Sequence, residues 1–263
     1  MLTTRFVTGA PDWIDVTSPD IEAAAAFYGA LFGWRFHAAE PDAGGYGVFR
    51  LAGRTVAGGA RAAPGQGPPG WTVYFRSEDL RATADAAEEA HGSVLVRPAD
   101  GRERGRCAVL ADRAGAPFGI RQAGPAEGME AAGEPGALCW VELYTPDIAA
   151  AAAFYRRVLG LETSGVPFPG GTYTCVNPDG GGEEAMFGGL VATAGDPARA
   201  RSGAYWLPYF EVADTDAVVD RARRLGGAVR GPATTVPGVG RMAGLADPYG
   251  ARFAVIRPEP PAG

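Results

Sequence analysis

Apolar and polar residues alternate along "WIDV", so Ile14 and Val16 share one face of a predicted strand while Trp13 and Asp15 share the other. Ser18 is then placed to cap a helix, with Pro19 at its first position and Asp20 in its first turn. Ile21, Ala24, Ala25, Tyr28, Leu31 and Phe32 follow at the helical period, small in the middle and bulky at the end. That stripe predicts a helix lying close on a sheet, and Gly33 stands where a left-handed C-cap belongs.

The pattern returns. "WVELYTPDIAAAAAFYRRVLGL" from Trp140 restates "WIDVTSPDIEAAAAFYGALFGW" from Trp13, with Thr145, Pro146 and Asp147 at the helix start, Gly160 at its end, and Glu142 in the place of Asp15. A second correspondence links "WTVYFRSEDLRATADAAEEAHGSVLVRPAD" from Trp71 with "WLPYFEVADTDAVVDRARRLGGAVRGPAT" from Trp206, again strand before helix. Each half closes on strand, turn, strand, at "GRCAVLADRAGAPFGIRQ" and "GRMAGLADPYGARFAVIRP". Short glycine-rich strands fill the gaps. The chain therefore reads as four related units in two domains, 11–123 and 137–258, joined by a polar Gly/Pro-bearing linker over 124–136. "APGQGPPG" from Ala63 reads as a flexible connection, and "DGGGEE" from Asp179 as a hairpin tip, since it lacks the basic residue and strand–helix context of a phosphate loop.

Composition narrows the function. At 263 residues, 46% apolar and 21% charged, the chain has the length and balance of two globular domains. It has no apolar run of about 18 residues and no leader-type N-terminal segment, which predicts a soluble cytoplasmic protein with no membrane partner. A net charge of -6 sets nucleic acid aside, because affinity for a phosphate backbone rests on Lys and Arg. Cys107, Cys139 and Cys175 are scattered among apolar residues and read as buried thiols. The two histidines, His37 and His91, read as surface residues near helix C-termini.

The repeated Trp-x-acid start, the "PDI…AAAFY…G" helix and the "LAD…GA.F" close resemble the vicinal oxygen chelate superfamily of glyoxalases, bleomycin-resistance proteins and dioxygenases, in particular its tandem-domain actinobacterial hydroxylase-like members. The resemblance spans nearly the whole chain. It implies an α+β fold in which four βαβββ units pair into two open, cup-shaped mixed sheets with helices outside and a ligand within. Metal-dependent members of that family take His, Glu or occasionally Gln ligands from the first and last strands of a unit. Here those positions carry Asp15, Thr72, Glu142 and about Leu207 on first strands, and Gly119 and Ala254 on last strands. One carboxylate per cup and no imidazole fall short of the roughly three ligands of a catalytic site, so no metal or other cofactor is expected.

What remains for chemistry is Asp15 beside Trp13 and Glu142 beside Trp140, each a candidate general acid or base if apolar walls lift its pKa. Each equally suits a structural role, holding a backbone N–H or an arginine. Tyr46, Tyr74, Tyr173 and Tyr209, with Thr72 and the two tryptophans, are the candidate ligand-lining residues, and Arg106 and Arg241 the candidates to meet an anionic group. The expected partner is a planar or amphiphilic small molecule, bound by a monomer or homodimer. A metal-independent acid/base enzyme of isomerase, lyase or hydroxylase-like type is the first expectation. Non-catalytic sequestration of a drug-like compound is the second, and a metal-dependent glyoxalase or dioxygenase the weakest.

Overall fold

The computed structural model of the chain describes residues 2–39, 45–63, 67–100, 105–124, 126–168, 171–194 and 201–259. Four βαβββ modules follow one another. The first is β1 (Pro11–Ser18), α1 (Ile21–Phe32), β2 (Arg35–Ala38), β3 (Tyr46–Leu51) and β4 (Arg54–Arg61). The second is β5 (Gly70–Arg76), α2 (Leu80–Glu89), β6 (Ser93–Asp100), β7 (Arg106–Ala111) and β8 (Pro117–Gln122). The third is β9 (Leu138–Thr145), α3 (Ile148–Leu159), β10 (Leu161–Phe168), β11 (Gly171–Pro178) and β12 (Gly188–Ala192). The fourth is β13 (Tyr205–Glu211), α4 (Thr215–Arg224), β14 (Ala228–Val236), β15 (Gly240–Ala246) and β16 (Arg252–Pro258). Two open eight-stranded mixed sheets result, ordered β2-β3-β4-β1-β5-β8-β7-β6 and β10-β11-β12-β9-β13-β16-β15-β14.

The helices begin two residues later than the sequence predicts. Asp20 and Asp147, not Ser18 and Thr145, are the N-caps, their carboxylates accepting from the amides of Ala23 at 3.0 Å and Ala150 at 2.9 Å. Ser18 instead bridges to the backbone of Asp20, which fixes the turn into the helix. Asp79 and Asp214 cap α2 and α4 in the same way, so a carboxylate meets the positive end of each of these four helices. Gly33 and Gly160 close α1 and α3 in the left-handed conformation, as expected. On α1 the buried stripe takes in Phe27, while Ala25 is only half-buried.

Each sheet draws its strands from one half of the chain, but the compact units cut across the halves. A mid-chain unit comprises Met1–Trp13, Thr72–Gly128 and Trp140–Leu207; a terminal unit comprises Ile14–Trp71, Met129–Cys139 and Pro208–Gly263. In the terminal unit the hydroxyl of Tyr28 on α1 donates to Asp247 at 3.1 Å and accepts from the indole of Trp71 at 3.0 Å. In the mid-chain unit Tyr155 on α3 donates to Asp112 at 3.2 Å and accepts from Trp206 at 2.9 Å. The other oxygen of each aspartate collects two amides of the turn behind it, Tyr249 and Ala251 or Ala114 and Ala116. Burial, and then the neighbouring aspartate, lifts both tyrosines well above their ordinary pKa. Packed rings of Trp34, Phe49 and Phe210 in one unit, and of Phe75, Phe118 and Phe187 in the other, enclose these locks. The "AFY" and "LAD" texts are thus a matched pair of fasteners.

The predicted linker is also packed rather than loose. Met129 and Ala131 are buried, the amide of Glu130 donates to the Thr55 carbonyl at 2.7 Å, and Arg54 pairs with Glu134. All three cysteines are buried. His91 is exposed in a left-handed turn after α2, whereas His37 lies exposed on β2. Residues 64–66 of the predicted flexible connection lie outside the described residues.

Candidate functional site

Alternation along β9 sends Val141 and Leu143 into the helix-side core, where both are fully buried, and leaves Trp140, Glu142 and Tyr144 on the opposite face. There the Glu142 carboxylate accepts hydrogen bonds from Tyr173 of β11 at 2.7 Å and from Tyr144 at 2.9 Å. Trp140 donates its indole N–H to the Tyr173 hydroxyl at 3.1 Å, so a Trp140–Tyr173 relay and Tyr144 converge on the two oxygens of one carboxylate. Burial, reinforced by the negative Glu142, pushes the Tyr173 phenol far above its ordinary pKa, which keeps it a proton donor. Tyr144 is stacked on Tyr205 with centroids 5.0 Å apart and planes 10° apart, and Phe168 leans on Tyr173 at 5.5 Å. The result is a charged acceptor edged by flat aromatic surface.

The corresponding place in the first half is built on the same contact. Asp15, 4% exposed, accepts from the phenol of Tyr46 on β3 at 2.9 Å. In both halves a glycine lies opposite the acid across a parallel strand pair, Gly58 on β4 facing Asp15 and Gly189 on β12 facing Glu142. A Cβ at Gly58 would fall 2.0 Å from the Asp15 Oδ1 and 2.1 Å from the Tyr46 hydroxyl; one at Gly189 would fall 2.1 Å from the Tyr173 hydroxyl. Only a residue without a side chain lets the tyrosine reach across to the acid.

The other predicted site residues divide. Trp13 is buried, with the Arg121 guanidinium 5.4 Å from its ring centre. Arg121, itself fully buried, pairs with Asp12 at 2.5 Å and donates to the carbonyls of Ala126 and Glu127. Burial raises the Asp12 carboxyl to about 7 against the pull of Arg121, and its Oδ1 has no hydrogen-bond partner among the described residues. Tyr74 is buried with its ring over Gly119, Tyr209 is buried opposite Ala254, and Thr72 is half-buried. Arg241 is drawn away to α4, where it binds Asp216 through two bonds of 2.6 and 2.7 Å and also Thr235. Arg106 donates to Gln122 at 3.3 Å. The structure therefore ties Trp140 and Tyr173 to Glu142 and Tyr46 to Asp15, and it gives Arg241 a surface ion pair instead.

Tyr144 and Tyr205 are additions to the sequence reading. Tyr144 lies two residues after Glu142 and therefore on the same strand face, a signal the alternation already carried. Three surface depressions, of about 980, 780 and 280 Å³, are lined by helix, strand and loop residues, and none of the three includes Asp15 or Glu142.

The donor set does not suit a metal of the kind the family uses. No group of three His, Cys, Asp or Glu among the described residues is arranged to hold one. At Gly119, where a last-strand ligand would stand, an added Cβ would meet the Tyr74 ring at 2.0 Å.

The chain belongs to the glyoxalase/bleomycin resistance protein/dioxygenase superfamily, whose sequence profile matches residues 10–120 and 137–255. Among its relatives, the anthracycline biosynthesis protein DnrV of Streptomyces peucetius is 40% identical over 96% of this chain and 94% of that protein. DauV of Streptomyces sp. strain C5, also an anthracycline biosynthesis protein, is 39% identical over the same shares. Among solved structures, the 2,3-dioxygenase LapB of Pseudomonas sp. KL28 matches with a TM-score of 0.61 at 15% identity, covering 98% of this chain and 96% of that one. The 2,2',3-trihydroxybiphenyl 1,2-dioxygenase of Sphingomonas wittichii matches at 0.60 and 15%, covering 95% and 91%. At that identity the likeness is one of fold. No helix among the described residues is long and apolar enough to cross a membrane.

Proposed function

We propose that the protein binds a flat, hydroxylated aromatic metabolite against the Glu142 cluster and relocates a proton on it without a metal. The observation that carries this reading is the Glu142 carboxylate between two phenols, with the stacked Tyr144–Tyr205 pair alongside. Similarity to two anthracycline biosynthesis proteins supports the choice of a fused-ring ligand.

In this mechanism Glu142 takes a proton from carbon beside a ligand carbonyl. The C–H bond breaks, an O–H bond forms on the carboxylate, and the electron pair moves to the carbonyl oxygen as an enolate. Tyr173, polarised by the Trp140 N–H on its oxygen, turns its hydroxyl to that oxygen. Return of the proton at another carbon completes a tautomerisation, which needs neither oxidant nor reductant. Asp15 in this reading supports the sheet and does no chemistry.

A second reading, sequestration without turnover, is favoured by the aromatic pair alone. Titration with a hydroxylated fused-ring β,γ-unsaturated ketone, which carries an acidic C–H beside its carbonyl and can be reprotonated at the far end of the enolate, followed by fluorescence and by recovery of the compound, separates the two. Binding with slow product formation that Glu142→Gln abolishes supports the enzyme; tight binding with the compound returned unchanged by both proteins supports sequestration. No binding to either protein would sink both readings.

A further inference from the structure

We infer that tyrosine hydroxyls at Asp15 and Glu142 have taken the place of a divalent cation as the electropositive partner of each carboxylate, with a glycine on the adjoining strand making the room. The device is a triplet on three neighbouring strands, repeated: Asp15, Tyr46 and Gly58 on β1, β3 and β4, and Glu142, Tyr173 and Gly189 on β9, β11 and β12.

A carboxylate withdrawn from water needs a donor or a cation. Here phenols supply it at 2.7 to 2.9 Å, ordinary O–H···O hydrogen-bond lengths. A metal would approach a carboxylate oxygen to about 2.0–2.2 Å, inside the space the phenolic hydrogen occupies, so the two cannot share one lone pair. The glycines show what the arrangement demands: any side chain at 58 or 189 would displace the hydroxyl. The acids differ by a methylene between the halves, whereas tyrosine and glycine are the same in both, so the capping contact is the common feature. At Gly119 the Tyr74 ring takes the volume of a further ligand. The tyrosine–acid contact depends on no ligand, so failure of the proposed ligand or reaction leaves it standing, whereas a metal bound at Glu142 would remove both.

The test is titration of apo protein with Mn(II), Co(II), Ni(II) and Zn(II), read by calorimetry and melting temperature. Wild-type protein is expected to take up no stoichiometric ion. A site with a dissociation constant below about 10 µM that is lost in Glu142→Gln or Asp15→Asn would overturn the inference. The phenol itself is read by infrared difference spectroscopy of wild type minus Glu142→Gln. The ionised carboxylate band should move in Tyr173→Phe, which keeps the ring and so the fold. A band unchanged in Tyr173→Phe would show that the hydroxyl is not the partner of Glu142, and would equally overturn it.

Discussion

Glu142 and Asp15 hold matching places on β9 and β1, yet they live in different surroundings. Asp15 is a short, buried acid with the Tyr46 phenol and Gly58 pressed against it. Glu142 has one more methylene, stands half-exposed, and gathers two phenols, an indole behind one of them and a stacked aromatic pair. Duplication supplied the same acid–tyrosine–glycine frame twice. In the second copy Tyr144 and Tyr205 stand beside the acid, whereas in the first the acid itself is buried. What the pair teaches is that a repeated residue is evidence for a repeated scaffold, and its surroundings decide whether it is also evidence for chemistry.

The contrast can be broken most directly at the acids. Glu142→Gln should lower turnover of an aromatic ligand about 100- to 10,000-fold, the span of a lost general base, whereas Asp15→Asn should leave the rate within about threefold. Equal losses measured in steady-state kinetics would erase the distinction. Next in size come the glycines. Gly58→Ala should destabilise the protein by about 2–3 kcal/mol and Gly189→Ala by about 1–2 kcal/mol, as overpacking does, because Gly58 meets both the acid and the tyrosine and Gly189 the tyrosine. Urea denaturation gives both values. Tyr205→Ala should then weaken binding of a flat ligand by about five- to tenfold through loss of ring stacking, a change readable by fluorescence titration.

The smallest effect is on pH dependence. Tyr28, Tyr155 and Tyr173 all have phenol pKa values raised by burial. The folded state therefore holds these protons where the unfolded chain has released them, so their stabilisation is complete below the ordinary tyrosine range and fades as pH rises above about 10. Melting temperature should fall steeply there. Tyr28→Phe should flatten the slope by one proton; an unchanged slope would mean that Tyr28 titrates normally.

Much of the fold was written in period and punctuation. Alternation at "WIDV" and "WVEL" placed the acids on the face opposite Val141 and Leu143, and the burial of those residues agrees. The helix starts were misread by two residues because "SPD" and "TPD" offer two capping residues each, and the stronger acceptor, the aspartate, wins. The pairing of each acid with its tyrosine was beyond reach, since it depends on strand register 31 residues away. Tyr205 was hidden because the strand was expected to begin at Trp206. Arg241 was a candidate anion contact, but it is paired with Asp216 on α4, a partner 25 residues away that alternation and turn signals do not reveal.

The two Trp–Tyr–Asp fasteners also set a timetable for synthesis. Tyr155 and Asp112 are separated by 43 residues, so both partners leave the ribosome within seconds of each other at about 5–20 residues per second. Tyr28 and Asp247 are separated by 219 residues. The face of α1 that carries Tyr28 can meet Trp34, Phe49 and Trp71 soon after it is made, but it gains Asp247 only 219 residues after Tyr28. One fastener is therefore closed by neighbours in the sequence, while the other waits for the far end of the chain.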